Sequence, residues 1–241
     1  METNKIIQIR LIAILVLIET ILCVLVQTTS GNLLVFVSFL AIVLSFVFSL
    51  ITIKKNYNHI LTSIGLLTTV CADIFLVVLN PIIQLPAMIF FSITQICYFI
   101  RIYLNQNDRK IRIIHLIVRI LLVVIALIAT IIVLKENTDL LSLISLFYYA
   151  NLLVNVVFSF ITNKKSLLFS IGLACFAMCD LFIGFSVLND SYIELKEGTL
   201  LYFLANPGFN IAWIFYIPSQ TLIALSNINF KTLKLNGLST R

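Results

Sequence analysis

The sequence predicts an all-α polytopic membrane protein of eight transmembrane helices, built as two parallel four-helix repeats with both termini in the cytoplasm. Three observations carry this expectation. The chain of 241 residues is 61% hydrophobic and 11% charged, with a mean hydropathy of +1.13, whereas an ordinary soluble domain is about 45–50% apolar. Polar interruptions divide it into eight apolar stretches, each close to the roughly 20 residues that cross about 30 Å of hydrocarbon. A block in the first half of the chain also recurs in the second.

The predicted spans run roughly over 7–26, 32–53, 60–80, 82–104, 113–134, 140–161, 167–188 and 207–227. Together they form a single transmembrane domain, 1–241, with little chain left for a soluble one. The first span reads as a retained helix: its apolar run is long for a signal peptide, and no small-x-small cleavage site follows it. Orientation comes from the bases, because short loops rich in lysine and arginine stay in the cytoplasm. Lys5 and Arg10 precede span 1, and Lys54 and Lys55 follow span 2. Arg109, Lys110 and Arg112 follow span 4, Lys164 and Lys165 follow span 6, and Lys231, Lys234 and Arg241 close the chain. The opposite loops hold only Lys135 and Lys196, so the net charge of +6 has a topological cause and calls for no nucleic-acid partner. A multi-pass cell-membrane protein in contact with bilayer lipid is the expected setting.

The repeat is specific. Ser45-Phe-Val-Phe-Ser-Leu-Ile-Thr-Ile-Lys-Lys-Asn56 matches Asn155-Val-Val-Phe-Ser-Phe-Ile-Thr-Asn-Lys-Lys-Ser166 at an offset of 110. Ser63-Ile-Gly-Leu66 matches Ser170-Ile-Gly-Leu173 at an offset of 107, and ten residues after each serine stands an aspartate, Asp73 or Asp180. Gln95 and Gln220 occupy similar places in spans 4 and 8, with Tyr98 and Tyr216 on opposite sides of their glutamines. Repeat 1 covers 1–108 and repeat 2 covers 109–241. Four spans per unit is an even number, so both units enter the membrane in the same direction, a design that places functional sites at the interface of the halves.

Asp73 and Asp180 each fall about 20 Å along an inside-to-outside helix, at 1.5 Å per residue, and Glu19 in span 1 reaches a similar depth. A carboxylate at mid-membrane costs roughly 2.5–3.5 kcal/mol even on the lenient insertion scale, and is tolerated where it faces the bundle or water. If the halves face each other, Asp73 and Asp180 meet in a common cavity. Two carboxyl groups in a low-dielectric site resist double ionisation, which leaves one acid beside one base. The blander account has each aspartate tying helices together through Asn151, Asn155, Gln95 or Gln220. Duplication of the aspartate favours the cavity.

The remaining polar residues say less. Cys23, Cys71, Cys97, Cys175 and Cys179 all lie within spans and read as packed free thiols, with no metal-ligand spacing. His59, His115 and Arg119 read as cytoplasmic-interface side chains, the arginine snorkelling. Tyr148, Tyr149 and Tyr202 fit an outer aromatic belt, and Trp213 lies deeper.

Gly172-Leu-Ala-Cys-Phe-Ala-Met-Cys-Asp-Leu-Phe182 and Phe215-Tyr-Ile-Pro-Ser-Gln-Thr-Leu-Ile-Ala-Leu-Ser226 resemble the YhhN family of eight-helix membrane proteins, whose characterised members are lysoplasmalogenases. Gly65-Leu-Leu-Thr-Thr-Val-Cys-Ala-Asp-Ile-Phe75 and Ser92-Ile-Thr-Gln-Ile-Cys-Tyr98 look like its first-half segments, with Gln95 where the family tends to carry histidine. The likeness covers spans 3, 4, 7 and 8. It implies hydrolysis of the vinyl ether of a lysoplasmalogen, a lysophospholipid substrate, to a fatty aldehyde and a glycerophospho-head group. Asp73 and Asp180 would be catalytic, with Gln95, Tyr98, Tyr216, Gln220, Glu19 and Asn151 binding or positioning the substrate. No metal or organic cofactor is implied. A carrier that binds lipid, or a small molecule coupled to protons, is the alternative, and an assembly protein with buried acids is a third.

Overall fold

The computed structural model describes residues 2–79, 81–162, 166–193, 195–207, 209–228 and 230. Among these the regular elements are helical: α1 (Glu2–Thr28), α2 (Gly31–Ile51), α3 (Tyr57–Asp73), α4 (Gln84–Asn105), α5 (Arg109–Leu134), α6 (Leu140–Thr162), α7 (Leu167–Ser191), α8 (Leu200–Ala205) and α9 (Ile211–Leu225). Seven of them, α1 to α7, are long and apolar enough to cross a membrane. This is a multi-pass membrane protein.

The eighth predicted stretch, 207–227, is not one long helix. Its helical part is α9, with 15 residues and therefore about 22 Å of helix rise, short of a full hydrocarbon crossing. Asn206-Pro207 separates it from α8, since proline pushes the preceding residue out of helical geometry. The break stands at the N-terminal edge of the predicted stretch, so α8 lies outside it. Lys164, Lys165, Lys231, Lys234 and Arg241, used above to orient the chain, lie outside the described residues.

The helices pack as a ring in the order α2, α3, α4, α6, α7, α9 and back to α2. α1 lies outside against α2 and α9, and α5 lies outside against α6. The outer faces are apolar, as a structure solvated by lipid allows, and the interior mixes apolar packing with buried polar side chains that join helices. Ile113, Ile117, Ile120, Ile128 and Ile132 of α5 all point outward, while Ser45, Ser49, Thr62, Thr69, Asn155, Ser159, Ser219 and Gln220 are fully buried. Those hydroxyls bridge helices: Ser49 and Ser63 lie 2.7 Å apart, as do Thr68 and Thr94. Near the other end of the ring the Arg101 guanidinium is buried, donates to the Thr62 and Ser226 hydroxyls and stacks 3.9 Å over Phe169. It links α3, α4, α7 and the end of α9, and nothing in the hydropathy of span 4 pointed to it.

Two glycines set the closest helix approaches. A Cβ on Gly65 would stand 2.9 Å from Tyr98 Cζ, and one on Gly172 would stand 3.1 Å from both the Ser219 carbonyl oxygen and the Ile223 nitrogen. Tyr98 and Ile223 are fully buried and have no room to retreat. Gly172→Ala should therefore destabilise the bundle by about 1–3 kcal/mol, the usual cost of overpacking. Gly184→Ala, where nothing lies within 4 Å of the added carbon, should be neutral or gain up to about 1 kcal/mol from helix propensity. Thermal or SDS unfolding of purified protein in detergent reads both; equal effects would contradict the packing described.

Candidate functional site

A cavity of about 660 Å³ opens at one end of the ring, lined by the C-terminal parts of α3, α5 and α7 and the N-terminal parts of α4, α6 and α9. Its size lies within the range of small-molecule sites, about 300–1,000 Å³. Both repeat-related aspartates line it. Asp73 closes α3, and the chain then makes a single π-turn over Ile74–Val78, in which the Leu79 amide reaches back to the Ile74 carbonyl at 3.0 Å. Such wide turns recur at functional sites because they re-aim the residues beside them. Asp180 sits inside α7, seven residues after Leu173 of the tightly packed Gly172 turn.

Each aspartate has one tyrosine partner from a neighbouring helix. The Tyr216 hydroxyl of α9 donates to Asp73 Oδ2 at 2.7 Å, and the Tyr148 hydroxyl of α6 donates to Asp180 Oδ2. Both tyrosines are buried and line the cavity. Phe176 packs against both rings, and Trp213 packs edge-on to Tyr216. The second oxygen of each carboxyl group is left for other work. The floor is thus two carboxyls and two phenols set in an aromatic shell, and the walls above it are aliphatic: Leu76, Val133, Leu146, Val187 and Leu188. Among the described residues, no lysine, arginine or histidine lines the cavity.

At the mouth, Asp139 accepts from the Ser142 amide at 2.7 Å, capping α6, and from the Tyr192 hydroxyl at 3.1 Å. These donors hold its carboxyl below the usual range, the Ser142 amide contributing most.

Of the sequence-predicted positions, the cavity brings together Asp73, Asp180 and Tyr216. Gln95, Tyr98, Gln220, Glu19 and Asn151 lie outside its lining. Gln95 is fully buried and accepts from Asn155 Nδ2 at 2.9 Å. Tyr98 packs into the Gly65 notch and edge-on to Phe169. Gln220 donates to Ser219 Oγ at 3.3 Å, and Glu19 accepts from Ser45 Oγ at 2.9 Å between α1 and α2. Neither aspartate takes an amide as its hydrogen-bonding partner; the two asparagines serve Arg119 instead.

Arg119 does not snorkel. Its guanidinium turns inward, donates to Asn151 Oδ1 and Asn155 Oδ1, and lies 4.2 Å over the Phe99 ring. His115 is likewise buried, stacked on Phe158 at 4.1 Å, rather than interfacial. His59 is buried too. Two neutral amides one turn apart on α6 offer the guanidinium oxygens that lipid lacks, which is why it faces inward. Tyr148 is also no belt residue: it is the partner of Asp180, and Tyr149 lines the cavity beside it. No sequence signal separates a tyrosine at the interface from one a turn deeper. Among the described residues, no cluster of three or more His, Cys, Asp or Glu is arranged to hold a metal ion.

The YhhN family model matches residues 34–227, most of the chain. The chain belongs to the YhhN family. Comparison with curated proteins and with solved structures gives no match. In this YhhN-family protein the matched region holds both aspartates and both tyrosines, and leaves out the whole of α1, Glu19 included.

Two outcomes follow from the site. Tyr216→Phe leaves a buried carboxyl oxygen without its donor and should cost about 1–3 kcal/mol. In an Asp73→Leu background the same change should cost far less, a double-mutant cycle whose additivity would argue against the pairing. Asp139 binds protons more weakly folded than unfolded, so its stabilising contribution is full above the ordinary carboxylate range and lost as the pH falls through it. Proteolysis of the α5–α6 loop in detergent should accelerate on acidification in the parent and much less in Asp139→Asn.

Proposed function

We propose that the protein is a membrane-embedded, lysoplasmalogenase-like hydrolase that cleaves the vinyl ether of a lysoplasmalogen by paired-aspartate acid–base chemistry. The observation that carries this reading is the cavity floor: two carboxyl groups from helices related by the repeat, each fixed by one phenol, at the bottom of an aliphatic pocket. Family membership supports the same class of reaction.

The chemistry balances with water as the only co-substrate. A protonated aspartic acid transfers its proton to the β carbon of the alkenyl chain, the double bond shifts, and the α carbon becomes an oxocarbenium ion. The ionised aspartate stabilises that cation and takes a proton from the attacking water, which adds to the α carbon. The hemiacetal collapses to a fatty aldehyde and the free hydroxyl of the glycerophospho-head group. Each tyrosine occupies one carboxyl oxygen, leaving the other directed at the reacting atoms. A low-dielectric, largely dry site strengthens the charge interaction that stabilises the cation. Either aspartate fits either role. Water enters from the mouth, where Gln84, Ser142 and Tyr192 supply polar groups.

The same reading takes the bundle as two parallel halves, α1–α4 and α5–α9, related by an axis along the membrane normal, α9 being the eighth crossing. Support comes from packing: Gly65 meets Tyr98 as Gly172 meets Ile223, with the glycines separated by the offset of Asp73 and Asp180 and their partners by that of Gln95 and Gln220. It places the end bearing Lys54, Lys55, Arg109 and Lys110 in the cytoplasm, both termini with it, and the cavity mouth toward the opposite face of the cell membrane.

Purified protein in detergent should release aldehyde from a lysoplasmalogen, and Asp73→Asn and Asp180→Asn should each lower the rate by at least roughly a hundredfold, the scale of acid–base contributions, while eluting as the parent does on gel filtration. Undiminished release by the double variant would remove the aspartates from the mechanism. Proton-coupled flux in liposomes with no lipid turnover would instead establish a carrier.

A further inference from the structure

One position of the cavity wall has no side chain. Gly184 lies one helical turn beyond Asp180 on α7, lines the cavity, and has no atom within 4 Å of where a Cβ would stand. Glycine within a helix costs about 1 kcal/mol relative to alanine, and at Gly65 and Gly172 close packing accounts for it; at Gly184 nothing is packed. The repeat-related position is Val77, which lines the opposite wall with a branched side chain. Along α7 the lining runs from Asp180 past the open space at Gly184 to Val187 and Leu188, and Leu146 and Val133 line the same cavity from α6 and α5. This α7 side of the cavity is aliphatic beyond Asp180 and, among the described residues, no cation lines it, so a phosphate there would be desolvated without a charged partner. A hydrocarbon chain would not be.

We infer that Gly184 is the chain-admitting, specificity-determining position of the cavity: the slot its missing side chain leaves holds the long hydrocarbon chain of a single-chain lipid as that chain leaves the aspartate floor. The inference deepens the hydrolase reading above and rests on the cavity being a lipid site, not on which aspartate is the acid. It identifies the substrate class as lipids with one extended chain. Bulk at 184 then acts on chain length and not on the chemistry of the head group.

The experiment has two arms on the full-length protein in detergent. The first compares Gly184→Ala, Gly184→Leu and Gly184→Phe on hexadecenyl and butenyl lysoplasmalogens. The expected result is a loss of kcat/KM on the hexadecenyl substrate that grows with side-chain size, at least roughly tenfold for phenylalanine, and butenyl turnover within about twofold of the parent. Equal losses on both chains, or none on either, would overturn the inference. The second arm needs no turnover, so a failure of the hydrolase reading remains distinguishable from a failure of this one. Trp213, the only tryptophan, lines the cavity. A chain-brominated, non-hydrolysable octadecyl-ether lysolipid should quench its fluorescence in the parent, competed by the unbrominated lipid, and should quench Gly184→Phe far less. A brominated butyl-ether analogue should quench both alike. Undiminished octadecyl quenching in Gly184→Phe would place the chain elsewhere, whether or not any lipid is cleaved.

Discussion

Two carboxyl groups held among hydrocarbon have to find donors on helices other than their own, and this bundle meets that demand with phenols. Burial of an unpartnered carboxyl oxygen costs more than a single hydrogen bond returns, so the positions of Tyr148 and Tyr216 fix how α6 and α9 stand against α7 and α3. Phe176 packs between the two tyrosine rings and Phe91 stacks on one of them, so the hydrogen bonds and the aromatic packing define one geometry. Above this floor the cavity opens, with one oxygen of each carboxyl group taken by a phenol.

The same rule explains the second polar layer. Lipid offers no oxygen to a guanidinium, and Arg119 therefore turns to Asn151 and Asn155, while Arg101 turns to Thr62 and Ser226. Both lie over aromatic faces, Phe99 and Phe169, which lowers the cost of removing them from water. Gln95 is drawn into the Arg119 layer through Asn155. The carboxyls and the guanidinium groups thus occupy separate layers, and the cavity keeps a floor of acids without a neutralising base. Chemistry that must hold a proton on one carboxyl and a cation near the other depends on that separation.

Much of the fold was legible because hydrocarbon is an unforgiving solvent. Seven of the predicted spans are helices of the expected length, and the Gly65 and Gly172 segments singled out by their recurrence form the tightest helix contacts. The eighth span was legible in its apolar core: α9 covers Ile211–Leu225 of the predicted 207–227, and the Asn206-Pro207 step that ends α8 stands at its edge. The candidate site was legible only in part. A charge in an apolar run is visible at once, so Asp73 and Asp180 stand out; a tyrosine in the same run is not unusual, and Tyr148 was lost among belt residues. The π-turn after Asp73 leaves no trace in composition, and neither does the open space beside Gly184.

By itself the sequence determined the solvent of this protein, seven of its long apolar helices, the recurrence of one motif and the place of an aspartate in each copy of it, because each of these follows from hydropathy and spacing along the chain. Tertiary structure alone decided which side chains answer those aspartates, that Gln95 and Asn151 belong to an arginine layer and not to the cavity, and where the empty volume lies. Those outcomes depend on the rotation of each helix about its axis and on which neighbours it meets. Rotation is set by pairing the aspartates and arginines with side chains of other helices while the apolar faces pack, a condition on the whole bundle that no single span contains.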